Sequence, residues 1–434
     1  MLNKWKAVYL LLLSANRART RTFMDYLLPY GLEWMNLLVR WLHIITGIAW
    51  IGASFYFVWL DNSLKPPAPG GELAKKGVAG ELWAVHGGGF YNPQKYLVAP
   101  AELPADLHWF KWEAYSTWLS GFALLCIVYW FNAQAMMVDR GVADLSSWQA
   151  VGLGLGSLVV GWVVYDLLCR SKLGKHDLAF GAVVFALLVG ATWVLTHYLS
   201  GRAAYIHVGA MIGTIMVANV AMVIIPGQRK MVDAMIAGLT PDPIYGIRAK
   251  QRSVHNNYFT LPVLFIMISN HFAMTYRHDH AWAVLAGIML AGVFIRHFFN
   301  LRHKGRVEWK YPAVGVVLLL AVAVAIAPER PAQPQGVAGG ANANAGAQFS
   351  AVQGIIQQRC VSCHAAHPTQ PGFATAPAGV MLDDPHGVSQ NAARIYQQAV
   401  QLKAMPLANM TNMTDAERAQ VAAWFEGGAK TGTN

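Results

Sequence analysis

The chain has 434 residues, of which 55% are hydrophobic and only 13% charged, a balance far from that of water-soluble domains. Its formal charge of +11 would suit a nucleic-acid partner, but the basic residues fall in short stretches between apolar runs, a distribution that excludes that class. With four cysteines, two of them (Cys126, Cys169) inside apolar runs, a disulfide framework is excluded as well.

The first 23 residues carry Lys4, Lys6, Arg17, Arg19 and Arg21 around the short apolar run Ala7 to Leu13, which has the layout of a crude signal-like leader. The preferred expectation is that translation begins at Met24 and that residues 1–23 are a gene-model artefact without function. From 24 to 327, stretches long enough to cross the hydrocarbon of a bilayer, about 20 helical residues each, begin near Trp34, Trp112, Trp148, Asp177, Arg202, Val254, His280 and Trp309. They predict an all-α fold, an eight-helix transmembrane bundle. Residues 328–348 are rich in Pro, Gly, Ala and Asn and read as a flexible linker. Residues 349–434 are more polar, with apolar positions at helical spacing, and have the size of a small cytochrome c domain.

The loops after the first, third, fifth and seventh apolar runs hold seventeen lysines and arginines. The alternate loops and the linker hold four: Arg140, Arg202, Arg277 and Arg330. By the positive-inside rule the odd loops face the cytoplasm and the C-terminal segment lies outside, in the periplasm of a bacterial inner membrane.

Chemistry concentrates first in Cys360-Val361-Ser362-Cys363-His364. C-x-x-C-H is the attachment sequence of c-type haem: Cys360 and Cys363 add to the vinyl groups, and His364 becomes an axial iron ligand. A zinc or thioredoxin-like pair is the plainer alternative, but no second ligand pair and no βαβ pattern accompanies it. For the second axial position Met405 is chosen, because Pro406 holds the chain extended there; Met410, Met413, His367 and His386 are the other candidates. The stretch from Thr414 to Glu417 reads as the cap of a final helix.

Ionisable residues within spanning helices are functional candidates by default, and here they are mostly histidines. His43, His197, His207 and His271 fall toward the outer face, and His108, His255 and His297 toward the inner one. The outer group suits an intramembrane b-type haem or metal, although each histidine could equally serve as a hydrogen-bonding link between helices. The largest inner loop contains Trp83-Ala84-Val85-His86-Gly87-Gly88-Gly89-Phe90-Tyr91-Asn92-Pro93-Gln94-Lys95-Tyr96. Its rings and glycines could enclose a flat ligand that His86, Gln94 and Lys95 would fix, or the rings could simply anchor the loop among lipid headgroups.

That loop, the first-helix run from Trp41 through His43 to Ser54, and the C-terminal CVSCH together resemble the membrane-bound, cytochrome c-linked urate oxidase (urate hydroxylase) family of bacteria, over nearly everything from Met24 onward. The resemblance implies oxidation of urate to 5-hydroxyisourate. It further implies that electrons pass to the fused haem c and on to a respiratory acceptor, such as a soluble cytochrome c or a terminal oxidase, without hydrogen peroxide. Under it, His86 becomes the candidate base, and Gln94 and Lys95 the contacts to urate's amide and anionic oxygen. If urate binds at the outer face instead, Arg40 and Arg202 take the anion role. The alternative from another class is a membrane cytochrome that relays electrons from quinol or a partner protein with no substrate chemistry of its own.

Overall fold

The structure, a computed structural model, describes residues 2–327, 343–370, 373 and 375–431, the side chains of 2–29 and 343–345 excepted. The side chains of the leader and residues 328–342 of the expected linker therefore lie outside the described residues. The described residues are predominantly helical, 70% against 4% strand, which agrees with the all-α expectation.

A helix stands at each of the predicted apolar runs. They are α1 (Leu2–Ser63), α2 (Trp112–Leu124), α3 (Ser147–Arg170), α4 (Asp177–Tyr198), α5 (Gly201–Ile236), α6 (Pro243–Ile268), α7 (Ala281–His303) and α8 (Lys310–Ala325). Among the described residues five, the part of α1 from Tyr30 on together with α3, α4, α5 and α7, are long and apolar enough to cross a membrane. Of the others, α8 is apolar but shorter, α2 continues only through a π-helical stretch (Leu125–Trp130), and α6 is more polar.

Local chemistry explains the ends. Ser146 and Gln149 form a reciprocal capping box on α3. The Asp242 carboxylate accepts the Ile244 N–H at 2.9 Å, and Pro243 fills the first helical position, where no N–H is needed. That cap starts α6 eleven residues before the run expected near Val254, because Arg248, Lys250 and Arg252 lower its hydropathy without lowering its helix propensity.

Two compact units can be distinguished. The first comprises Leu42–Ala123 with Leu145–Ala327. Its most enclosed helix is α5, packed against α3, α4 and α6. Gly161 of α3 and Gly209 of α5 allow that approach, since a Cβ on either would collide with Met211 or Ile266. The outward surface of this unit is itself apolar: Ile44 and Ile48 of α1, Val159 and Val163 of α3 and Leu320 of α8 are all exposed. Lipid, rather than water, suits such an exterior.

Between α1 and α2 runs a long twisted hairpin. β1 (Val78–Glu81) pairs antiparallel with β4 (Gln94–Tyr96), and β2 (Ala84–His86) with β3 (Gly89–Tyr91). Gly87 and Gly88 turn it, both at positive φ (56° and 81°), as a two-residue hairpin turn requires.

The second unit contains the described residues of 1–41, 124–144 and the chain after Ala327. Its C-terminal part folds around Phe349, Val352, Ile356, Val388, Val421 and Trp424, contributed by α9 (Ala343–Arg359), α10 (Pro385–Gln390) and α11 (Asp415–Glu426). The Thr414–Glu417 capping box opens α11 where the sequence placed it.

Candidate functional site

The Cys-x-x-Cys-His segment coils directly off the end of α9. The Cys360 N–H donates to Ile356 O at 2.8 Å and the His364 N–H to Cys360 O at 2.9 Å, so the turn gathers Cys360, Cys363 and His364 together. Both thiols are free, and burial pushes that of Cys360 up to about 12. The His364 Nδ1 lies 3.0 Å from the Val380 carbonyl. A carbonyl only accepts, so Nδ1 carries the proton and Nε2 presents a lone pair. Met405 is pinned through both backbone groups: its N–H donates to Gln398 O at 3.0 Å, and its carbonyl accepts from the buried Arg418 at 2.8 Å. Of the alternative ligands, Met413 is packed in the core, and His367 and His386 are exposed. This donor set suits a covalently attached haem c: two thiols, an imidazole with its tautomer fixed, and a thioether on a restrained loop.

The four outer histidines are placed differently from one another. The Nδ1 of His43 contacts Thr117 O at 3.0 Å and Ser120 Oγ at 3.1 Å, with Gly121 against its ring. His207 is fully buried, its Nδ1 2.8 Å from Ala203 O. His197 bonds Trp193 O at 2.7 Å on an exposed face, and His271 is exposed in a short 3-10 turn. In His43, His197 and His207 alike the bonded carbonyl fixes the proton on Nδ1. Among the described residues, no three His, Cys, Asp or Glu side chains converge to hold a metal ion.

The hairpin separates the loop candidates. His86 sits at its tip, opposite Gly89, whereas Gln94 and Lys95 lie at its base opposite Glu81 and Gly80. Five residues of extended ribbon place the two groups about 16 Å apart. The Lys95 ammonium pairs with Asp61 of α1, which Lys250 of α6 also contacts at 3.2 Å. Gln94 donates to Asn92 at 2.9 Å, and Asn92 to Glu81 at 3.0 Å. Trp83, Val85 and Phe90 are exposed, so the hairpin presents its apolar side chains outward. Arg40 donates to Asn36, one turn back, at 3.0 Å. Arg202 donates to the Tyr276 hydroxyl at 3.4 Å.

Two further clusters, centred on α6, join the inner-face candidates His255 and His297 to residues that the sequence did not single out. On one side Arg252, 4% exposed, donates to Asp166 at 2.7 Å and to Asn219 Oδ1 at 3.1 Å. Asn219, at the start of a π-helical stretch of α5, donates to Asn256 at 2.8 Å and to the Tyr165 hydroxyl at 3.1 Å. That hydroxyl, accepting already, is left to donate to His255 Nδ1 at 2.8 Å. On the other side the Arg296 Nε donates to Asn257 Oδ1 at 2.6 Å, and the Asn257 amide to Asn300 at 2.8 Å. The Arg296 guanidinium lies 4.0 Å from the Phe55 ring centroid, and Tyr258 and His297 are hydrogen-bonded at 2.7 Å nearby on the same two helices. The signal that could have found Arg296 is a cation inside a stretch that otherwise reads as a membrane span, whereas Arg252 precedes the run read near Val254 and counts there as a loop cation.

Among known proteins, a family model described as Urate oxidase N-terminal matches residues 29–327. No curated protein and no solved structure matches the chain. The matched segment holds α2 to α8 and the hairpin and takes up well over half of the 434 residues, so the chain belongs to the urate oxidase N-terminal family.

Proposed function

We propose that the protein is a membrane-bound oxidoreductase that converts urate to 5-hydroxyisourate and delivers the electrons to a c-type haem in its own C-terminal domain. The family match over residues 29–327 is the observation that carries this reading. The reaction adds water to urate and releases two protons and two electrons, so no oxygen is reduced and no hydrogen peroxide forms. A haem held by Cys360, Cys363, His364 and Met405 supplies a one-electron acceptor, used twice per turnover. The chain's own contribution there is orientation: Val380 O fixes the imidazole tautomer, and Arg418 holds the Met405 loop.

The helices α1 to α8 form the eight spans of a bacterial inner-membrane domain, embedded in lipid, with the C-terminal domain in the periplasm. There it meets a soluble cytochrome c or a terminal oxidase. His86 is the proposed proton acceptor as water adds. Gln94 and Lys95 already have partners in Asn92 and Asp61, and contact with urate would require exchanging them. His43, His197, His207 and His271 are the proposed ligands of a b-type haem or a metal within the membrane, imidazole being a common ligand for both.

The test is an anaerobic optical titration of the detergent-solubilised holoprotein with urate, together with a pyridine haemochrome count of b and c haems. Reduction of the haem bands by urate is expected. Haem that dithionite reduces and urate does not would overturn the proposal.

A further inference from the structure

Arg296 is 5% exposed, it sits on an apolar helix, and its Nη2 is buried with no hydrogen-bond partner. Among the described residues no carboxylate lies within salt-bridge reach of it; its polar contact is the neutral amide of Asn257. A buried cation without a counter-ion is strongly unfavourable, and a guanidinium donor left unpaired adds to that cost. Arg252, on the neighbouring helix, shows that this fold does compensate a buried arginine when nothing else has to bind it.

The surroundings of Arg296 are specific. Asn257, itself held by Asn300, occupies Nε and so fixes the plane of the guanidinium. Phe55 covers its face and is itself only half-buried. A planar donor fork with an aromatic wall, in a low-dielectric setting, matches a flat anion bearing carbonyl-type oxygens.

We propose that Arg296 is the anion-binding residue of the substrate site, with Nη2 donating to an anionic oxygen of a planar heterocycle and Phe55 flanking its ring. This rests on the urate reading above, under which the ligand is the urate monoanion. Arg296, rather than Lys95, is then the cation that recognises it.

The experiment is equilibrium dialysis of radiolabelled urate against the full-length holoprotein in detergent, with hypoxanthine, a neutral planar purine, as competitor. Wild-type protein is expected to bind urate and to prefer it to hypoxanthine by about 10-fold or more. Arg296→Gln should weaken urate binding by about 30-fold or more and erase that preference, and Arg296→Lys, which keeps the charge and loses the fork, by about 10-fold. Haem absorption and thermal melting report whether each variant is folded. Arg296→Gln binding urate as wild type does would overturn the site and leave the urate reading intact. Wild-type protein that does not bind urate overturns both. If Arg296→Gln does not fold, the Lys variant and the wild-type preference still decide: an unchanged affinity, or equal binding of urate and hypoxanthine, overturns the proposal.

Discussion

Arg252 and Arg296 occupy neighbouring helices of one unit, both nearly inaccessible to solvent, and both bonded to an asparagine. Around Arg252 the circuit is closed: Asp166 supplies the opposite charge, and Asn219, Asn256, Tyr165 and His255 hand hydrogen bonds along. Around Arg296 it is open, with amides and a ring but no anion. Similar burial with different charge balance distinguishes a cation that holds helices together from one that waits for a ligand.

The comparison breaks first at Asp166. Asp166→Asn leaves Arg252 buried without its counter-ion and is expected to cost about 3–5 kcal/mol, read as a lower thermal midpoint of the solubilised protein; a loss below about 1 kcal/mol would mean the circuit does not depend on that charge. Arg296→Met should behave oppositely, because it removes an uncompensated cation. Stability unchanged or raised by about 1 kcal/mol is expected, and a loss as large as that of Asp166→Asn would show that Arg296 has an internal partner after all. Lys250→Ala removes one of two exposed ammonium partners of Asp61 and should cost about 0–1 kcal/mol, less at high salt. Thermal melts at low and high ionic strength measure it.

The smallest effect concerns a third arginine circuit, in the C-terminal domain. There Glu417 accepts from Arg359 at 2.9 Å and caps α11 through the Thr414 N–H. The Thr414 backbone N–H and, after it, Arg359 hold this carboxyl below the usual carboxylate range. Its contribution is therefore fully present above the ordinary glutamate pKa of about 4.3 and is lost as pH falls through the lower folded value. Thermal midpoints of the C-terminal domain should fall in acid for the natural chain and be flatter with pH in Glu417→Gln, as followed by tryptophan fluorescence.

What could be read from the sequence was what is local. The Cys-x-x-Cys-His turn and the Thr414 cap are built from residues within five positions of one another, and both appear where expected. Apolar runs located the helices, but hydropathy missed the first turns of α6, where Asp242-Pro243 was a readable start signal outweighed by three cations. Arg252 among those cations is satisfied by Asp166, 86 positions away, and no window of sequence displays that. The hairpin was missed because its strands run three or four residues, too short for a period of two to stand out, although Gly87-Gly88 marked its turn. His86 and Lys95 looked adjacent because nine positions separate them; an extended ribbon turns that nearness into distance. Arg296 was passed over for the histidines, since a list of cations does not say which one lacks a partner.

Asp61 ties three stretches of chain together, accepting from Lys95 and from Lys250. In terms of biosynthesis these two contacts cannot form together. About 150 residues separate the lysines, and at about 5–20 residues per second the ribosome needs roughly 8–30 s to travel from one to the other. Throughout that interval Asp61 has Lys95 as its ammonium partner, beside the Lys65–Glu81 backbone pairing that joins the hairpin to the end of α1, and α6 does not yet exist. The arrival of Lys250 then completes a fastening whose first half was already in place.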